Sequence, residues 1–162
     1  MVLTIAFWAL AIVGVLSALG VVLLGNVFRA SLSLILCFIA IAGIYITLHA
    51  DFLAAAQILV YVGAISILIL LAIMLTRDVQ HGSPSNKLRL PAFIVAILFV
   101  GTVTFAVLNT RWQVSSVPPQ EPTTSAIAGL LFSVEGFILP VEIAPILLLA
   151  AIIGAIVLVR EK

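Results

Sequence analysis

The chain has 162 residues, of which 65% are hydrophobic and 8% charged, and its net charge is +1. A soluble domain of this size cannot hide so much apolar surface from water, so the composition excludes one and points to a membrane protein. Its few charges form no basic cluster, which excludes a nucleic-acid binder.

A helix needs ~20 apolar residues to cross a ~30 Å hydrocarbon core. The sequence offers five such runs, 2–24, 31–48, 52–76, 91–109 and 140–159, separated by polar punctuation. A transmembrane barrel is excluded, because its strands alternate apolar and polar residues over segments of ~10. The expected fold is an all-α integral membrane protein, a single membrane domain over residues 1–162 with five transmembrane helices. Run one has no Lys or Arg ahead of it and is too long for a signal-peptide core, so it is expected to stay in the mature protein. Gly14, Ala18 and Gly25 give it smooth positions for close helix packing. Run two holds Cys37, the chain's one cysteine, which leaves no disulfide framework and no cysteine-rich metal or iron–sulfur site. Its expected role is that of a small core residue.

The joints Gly25 to Ala30 and His49 to Asp51 are short enough to force runs one to three into antiparallel neighbours. Asp51 reads as the N-cap of run three, accepting a hydrogen bond from the amide of Leu53 or Ala54. Run three is the informative one. At ~1.5 Å per residue Gln57 lies several ångströms below the outer surface and Tyr61 to Ala64 near the midplane. Spacings of four and three put Gln57, Tyr61 and Ala64 on one face of a regular helix, and that face is expected to meet another helix. One reading is packing, with Gly63 and Ala64 admitting a neighbour and Gln57 and Tyr61 hydrogen-bonding across. The other is a flexible point, because Gly weakens a helix and irregular turns concentrate at functional sites.

Residues 77–90, with Gly82-Ser83-Pro84-Ser85-Asn86, read as an inside linker. After run four, Arg111 and Trp112 suit the headgroup region. Residues 110–139 form an outside loop whose Pro118, Pro119 and Pro122 oppose regular structure until a short interfacial helix over 126–132. In run five Pro140 fits a first helical turn, and Glu142 falls where the helix dipole stabilises a carboxylate. A place in an intersubunit hydrogen-bond network or proton path is the other reading of Glu142. Farther along, Ala150, Ala151, Gly154 and Ala155 make a small-residue stripe suited to another membrane chain.

Five spans put Arg29, Arg77, Lys87, Arg89, Arg160 and Lys162 on one side and Arg111 on the other, beside Asp51, Glu121 and Glu135. The positive-inside rule then places the N-terminus outside or in a lumen and the C-terminus in cytoplasm, matrix or stroma. No nucleophile–base arrangement, phosphate loop or metal spacing appears, and His49 and His81 sit at opposite membrane edges. The chain alone is not expected to be a catalyst.

The segment Asp51-Phe-Leu-Ala-Ala-Ala-Gln-Ile-Leu-Val-Tyr-Val-Gly-Ala64, continuing to Met74-Leu75, resembles the third transmembrane helix of subunit J of proton-pumping NADH-quinone oxidoreductase, respiratory complex I. That family includes mitochondrial chain 6 and its plastid and cyanobacterial counterparts. Gly20 to Asn26, and Pro140 to Ala144 with Ala150 to Leu158, carry the likeness further. The resemblance implies a multi-pass subunit of a bacterial inner membrane, or of a thylakoid or organelle inner membrane. It implies no cofactor, catalytic residue or metal in this chain, while other subunits hold FMN and iron–sulfur clusters, take electrons from NAD(P)H or ferredoxin and reduce a quinone. Implied partners are the small subunit K, the quinone-binding subunit (called H in this family), the antiporter-like subunits, the membrane subunit called A, and the bilayer. It also implies that Tyr61, Val62, Gly63 and Ala64 form a π-bulge that gates a proton path, with Gln57, Glu142 and Asp51 as polar or interface positions. Some members have Glu where this chain has Gln57, and Gln orients water without carrying a proton. The alternatives are a purely structural assembly subunit and a stand-alone small transporter. Transport alone calls for a set of intramembrane ionisable residues, and within the spans only Glu142 is one.

Overall fold

The computed structural model describes residues 1–76, 88–112 and 122–159. Most of the expected inside linker, His81, Pro118, Pro119 and Glu121, and the cations Arg77, Lys87, Arg160 and Lys162 lie outside the described residues. The described residues form helices: α1 (Val2–Leu23), α2 (Val27–Thr47), α3 (Asp51–Leu75), α4 (Arg89–Asn109), α5 (Thr123–Leu131) and α6 (Ile138–Val159). Five of these, all but α5, are long and apolar enough to cross a membrane.

Local chemistry sets the helix ends. Asn26 caps α2 through its side-chain oxygen, which accepts from the Arg29 amide at 3.1 Å, so α2 starts four residues before the apolar run at Ser31. At the other end His49 adopts φ 57°, and the amide of Ala50 donates to the Tyr45 carbonyl while that of His49 donates to Ile46. This is a Schellman turn, which reverses the chain at the cost of a left-handed residue that is not glycine. The expected cap of α3 differs: its N-cap is Ala50, whose carbonyl accepts from Ala54, and Asp51 lies inside the first turn. There its carboxylate complements the helix dipole without capping. Helix α5 likewise begins at Thr123, three residues before its expected start. Gly136 closes the turn into α6, where a Cβ would collide with the Leu130 carbonyl and the Ser133 hydroxyl.

Packing centres on α2. It runs along α1 on one side and along the whole of α3 on the other, while α5 touches the first turns of α3 and α6 touches α5. Helix α4 packs against no other described element. A groove of about 290 Å³ lies between the end of α1 and the last turns of α3, lined by Val21, Leu24, Ser31, Leu34, Ile69 and Ile73. The buried residues among those described are Ala40, Ala42, Ala54, Ser17, Ser31, Gln57 and Ser66, none of them a large apolar side chain. That is the inverse of a soluble core. In lipid there is no hydrophobic gain from hiding Leu behind Leu, so helices associate where small residues let backbones approach. Gly14 meets Ala40, and a Cβ on Gly20 would sit 2.9 Å from the Ser33 hydroxyl. A Cβ on Gly43 would sit 2.8 Å from Leu10. Of the other small residues expected to pack, Ala18 is exposed and Gly25 has open space around it.

Candidate functional site

Helix α3 is continuous over 25 residues, yet its middle third is wound differently. Residues Asp51–Ala56 are α-helical, Gln57–Ile65 are π-helical, and Ser66–Leu75 return to α. The π form hydrogen-bonds each amide five residues back instead of four, which widens the turn. Tyr61, Val62, Gly63 and Ala64 all fall inside this segment. Its sequence permits the widening. No proline interrupts it, and a Cβ at Gly63 would touch the Ile58 carbonyl, the acceptor five residues back, at 3.4 Å, so any longer side chain there must pass that carbonyl.

The winding alters the face expected from helical spacing. Gln57 is buried, whereas Tyr61 is 46% exposed and Ala64 is exposed as well. A spacing of four stays roughly aligned in the wider turn, and the Tyr61 ring still meets α2 while half exposed, but over a spacing of seven the π winding turns Ala64 away from Gln57. The next buried position along α3 is Ser66, at 2% exposure, which helical spacing from Gln57 does not indicate. Nine residues make about 2.5 turns of α-helix, so in a regular α3 these two side chains would point to opposite sides. Here both are buried in segments whose neighbour outside α3 is α2. The π segment therefore lets both halves of α3 present a polar residue to one helix.

Three contacts define the site. The Ser66 hydroxyl donates to the Tyr61 carbonyl at 2.6 Å. The Ser66 amide is shared between the carbonyls of Gly63 and Tyr61. The Tyr61 ring meets Phe38 of α2 edge to face, with centroids 5.4 Å apart and planes at 69°. Such an aromatic pair contributes about 0.5–1.5 kcal/mol beyond its area. Phe38 was invisible from sequence spacing, because only the tertiary pairing of α2 with α3 brings it there.

Neither remaining polar candidate joins this cluster. Asp51 is exposed at the start of α3. Glu142 is exposed on α6, which packs only on α5 among the described elements. Because α6 begins at Ile138, Glu142 is its fifth residue, and the first turn holds no acidic residue. Pro140 still falls in the first turn, while Pro145 lies in the helix interior and cannot donate an amide to the carbonyl four residues back. Among the described residues no group of three His, Cys, Asp or Glu side chains is placed to hold a metal ion.

Fold and site together define a polytopic helical membrane protein, packed through small residues and built around a π-interrupted helix. The chain belongs to the NADH-ubiquinone/plastoquinone oxidoreductase chain 6 family, whose model matches residues 17–158. It is 42% identical over 162 residues to the F(420)H(2) dehydrogenase subunit J of Methanosarcina mazei, covering 98% of this chain and 92% of that one. It is 44% identical over 161 residues to NAD(P)H-quinone oxidoreductase chain 6 of Leptolyngbya boryana, covering 98% and 80%. The chain 6 protein of Synechocystis is 43% identical over 164 residues, covering 97% and 80%. The family expected from Asp51 to Ala64 is thus the family that matches. The chain is a subunit of an NADH-quinone oxidoreductase complex, whose general function includes proton translocation.

Proposed function

We propose that this chain couples quinone reduction to proton transfer by switching the central turns of α3 between π and regular α winding. The observation that carries this is the π segment Gln57–Ile65, placed midway along an otherwise α-helical span and seated on α2. A change to α winding would turn residues 66–75 relative to 51–56. It would carry Ser66 off α2 and swing Tyr61 with its apolar neighbours across the adjoining space. Quinone chemistry in other subunits would bias the two windings through differential contacts, without which no ligand shifts an equilibrium. Gln57, buried and not ionisable, orients water in the path and does not titrate.

The whole chain serves as one membrane domain, N-terminus outside and C-terminus in the cytoplasm, in a bacterial inner membrane or a thylakoid or organelle membrane. It holds no catalytic centre or cofactor of its own. The quinone-binding subunit, the small subunit K, the antiporter-like subunits and the membrane subunit called A surround it, and FMN and the iron–sulfur clusters lie in others. The relatives' names support its distance from the electron donor: one carries F(420)H(2) and the others NAD(P)H, at 42% to 44% identity to this chain. A surface tuned to the donor would not be shared so evenly.

The test is Gly63→Leu in the intact complex, sealed in vesicles and driven by its donor. A Leu branch crowds the Ile58 carbonyl that the π turn uses. Insertion and assembly are expected to hold, while protons moved per quinone reduced fall about tenfold, an added barrier of ~1.4 kcal/mol. Unchanged stoichiometry and turnover would leave α3 a static packing element, and the chain's role in the assembly a purely structural one.

A further inference from the structure

The hydroxyl of Ser66 is set apart by how far back it reaches. Other helix hydroxyls that bond the backbone reach no farther than an ordinary helix allows: Ser17 donates to the Val13 carbonyl four residues back, and Ser31 and Thr102 donate to carbonyls three back. Ser66 donates to Tyr61, five back, at 2.6 Å, and is 2% exposed. A hydroxyl in a regular helix bonds the carbonyl three or four residues back, so this bond requires the π register.

We infer that Ser66 is the positioning residue that latches α3 in its π form. At the end of the π segment the Ser66 amide is divided between Gly63 and Tyr61, so the Tyr61 carbonyl receives that amide only in part. In hydrocarbon no water makes up that deficit, and the carbonyl has a second lone pair to offer. The Ser66 hydroxyl fills it. In regular α winding the same amide would bond fully to the Val62 carbonyl, and a hydroxyl added to that carbonyl would be redundant. The side chain therefore stabilises one register selectively, which is what distinguishes a latch from simple packing. The consequence for proton transfer rests on the proposed switch, whereas the register itself is measurable without it.

The test is electron cryomicroscopy of the intact complex, with particles sorted by the winding of α3, for Ser66→Ala, Ser66→Cys and Ser66→Thr, alongside proton-to-quinone stoichiometry. Ser66→Ala is expected to lower the π-to-α population ratio about fivefold, the worth of one net hydrogen bond. Ser66→Cys, nearly the same size but a weak donor, should move the ratio the same way, and it decides the matter if the alanine complex does not assemble. Ser66→Thr keeps the hydroxyl and should keep the π winding. A ratio unchanged in the alanine and cysteine variants, or a π segment lost in the threonine variant, overturns the latch. A regular α3 with normal pumping supports the latch and refutes the coupling role of the switch.

Discussion

The two halves of the molecule solve the problem of packing in lipid in opposite ways. Helices α1 to α3 fit one another through Gly14, Gly20, Gly43 and Ala40, and they contain all seven buried residues named above. Among the described residues helices α4 and α6 bury nothing: α4 touches no described element, and α6 only the short α5. On α6, Ala150, Ala151, Gly154 and Ala155 are exposed, with open space beside Gly154. The same residue types thus serve internal packing in the first half and stand unfilled in the second. A small-residue stripe specifies how closely a partner can approach. Where that partner comes from is decided by the surrounding chain.

This contrast is open to direct attack. The largest effect is expected from Gly43→Leu, because even a Cβ there would lie 2.8 Å from Leu10. Overpacking should cost about 1–3 kcal/mol in the isolated, detergent-solubilised chain, read from its unfolding in graded denaturing detergent. An unchanged midpoint would mean that α1 and α2 are not close-packed. Gly154→Leu sharpens the comparison from the other half: the isolated chain should unfold as before, while the yield of assembled complex drops about threefold, as a clash of about 0.7 kcal/mol with a neighbouring subunit would produce. If the isolated chain is destabilised instead, α6 packs within the chain after all.

Asn26→Ala removes the side-chain cap of α2 and should cost about 1 kcal/mol, measured in the same unfolding assay. No loss would show that the turn between α1 and α2 is held by packing alone. Glu142→Gln is expected to act least, lowering complex yield or turnover by about twofold with the isolated chain unaffected, the scale of a weak polar contact at a protein surface. An intact complex with wild-type pumping would remove Glu142 from the functional positions.

Much of the site was legible before the fold was known, and the reason is the cost of polarity in hydrocarbon. Gln57 stood out because a carboxamide at that depth must be sheltered, and it is buried. Gly63 stood out as a weak point in a helix, and it lies within the π segment. Ser66 did not stand out. A serine one turn farther on is common in membrane helices, and its contact five residues back exists only once the turn is widened. The expected face held for Gln57 and for Tyr61, which meets Phe38 of α2, and lost Ala64 to the same cause, since a spacing rule assumes one pitch along the whole helix. The cap of α3 lies one residue earlier than expected, because the Ala50 carbonyl and not the Asp51 carboxylate starts the helix, and α6 begins two residues before its expected run.

What the sequence determined by itself is the number of membrane-length helices, the family, and the span in which polar and flexible residues are concentrated. These follow from local quantities: the length of an apolar run, the cost of burying a polar group, and a conspicuous string of residues from Asp51 to Ala64. The tertiary structure decided which residues share a side of α3, that Phe38 meets Tyr61, and that one half of the chain is packed while the other is bare. Those depend on helical pitch and on which helices become neighbours, and both are properties of backbone hydrogen bonds and contacts between segments, not of any one segment's composition.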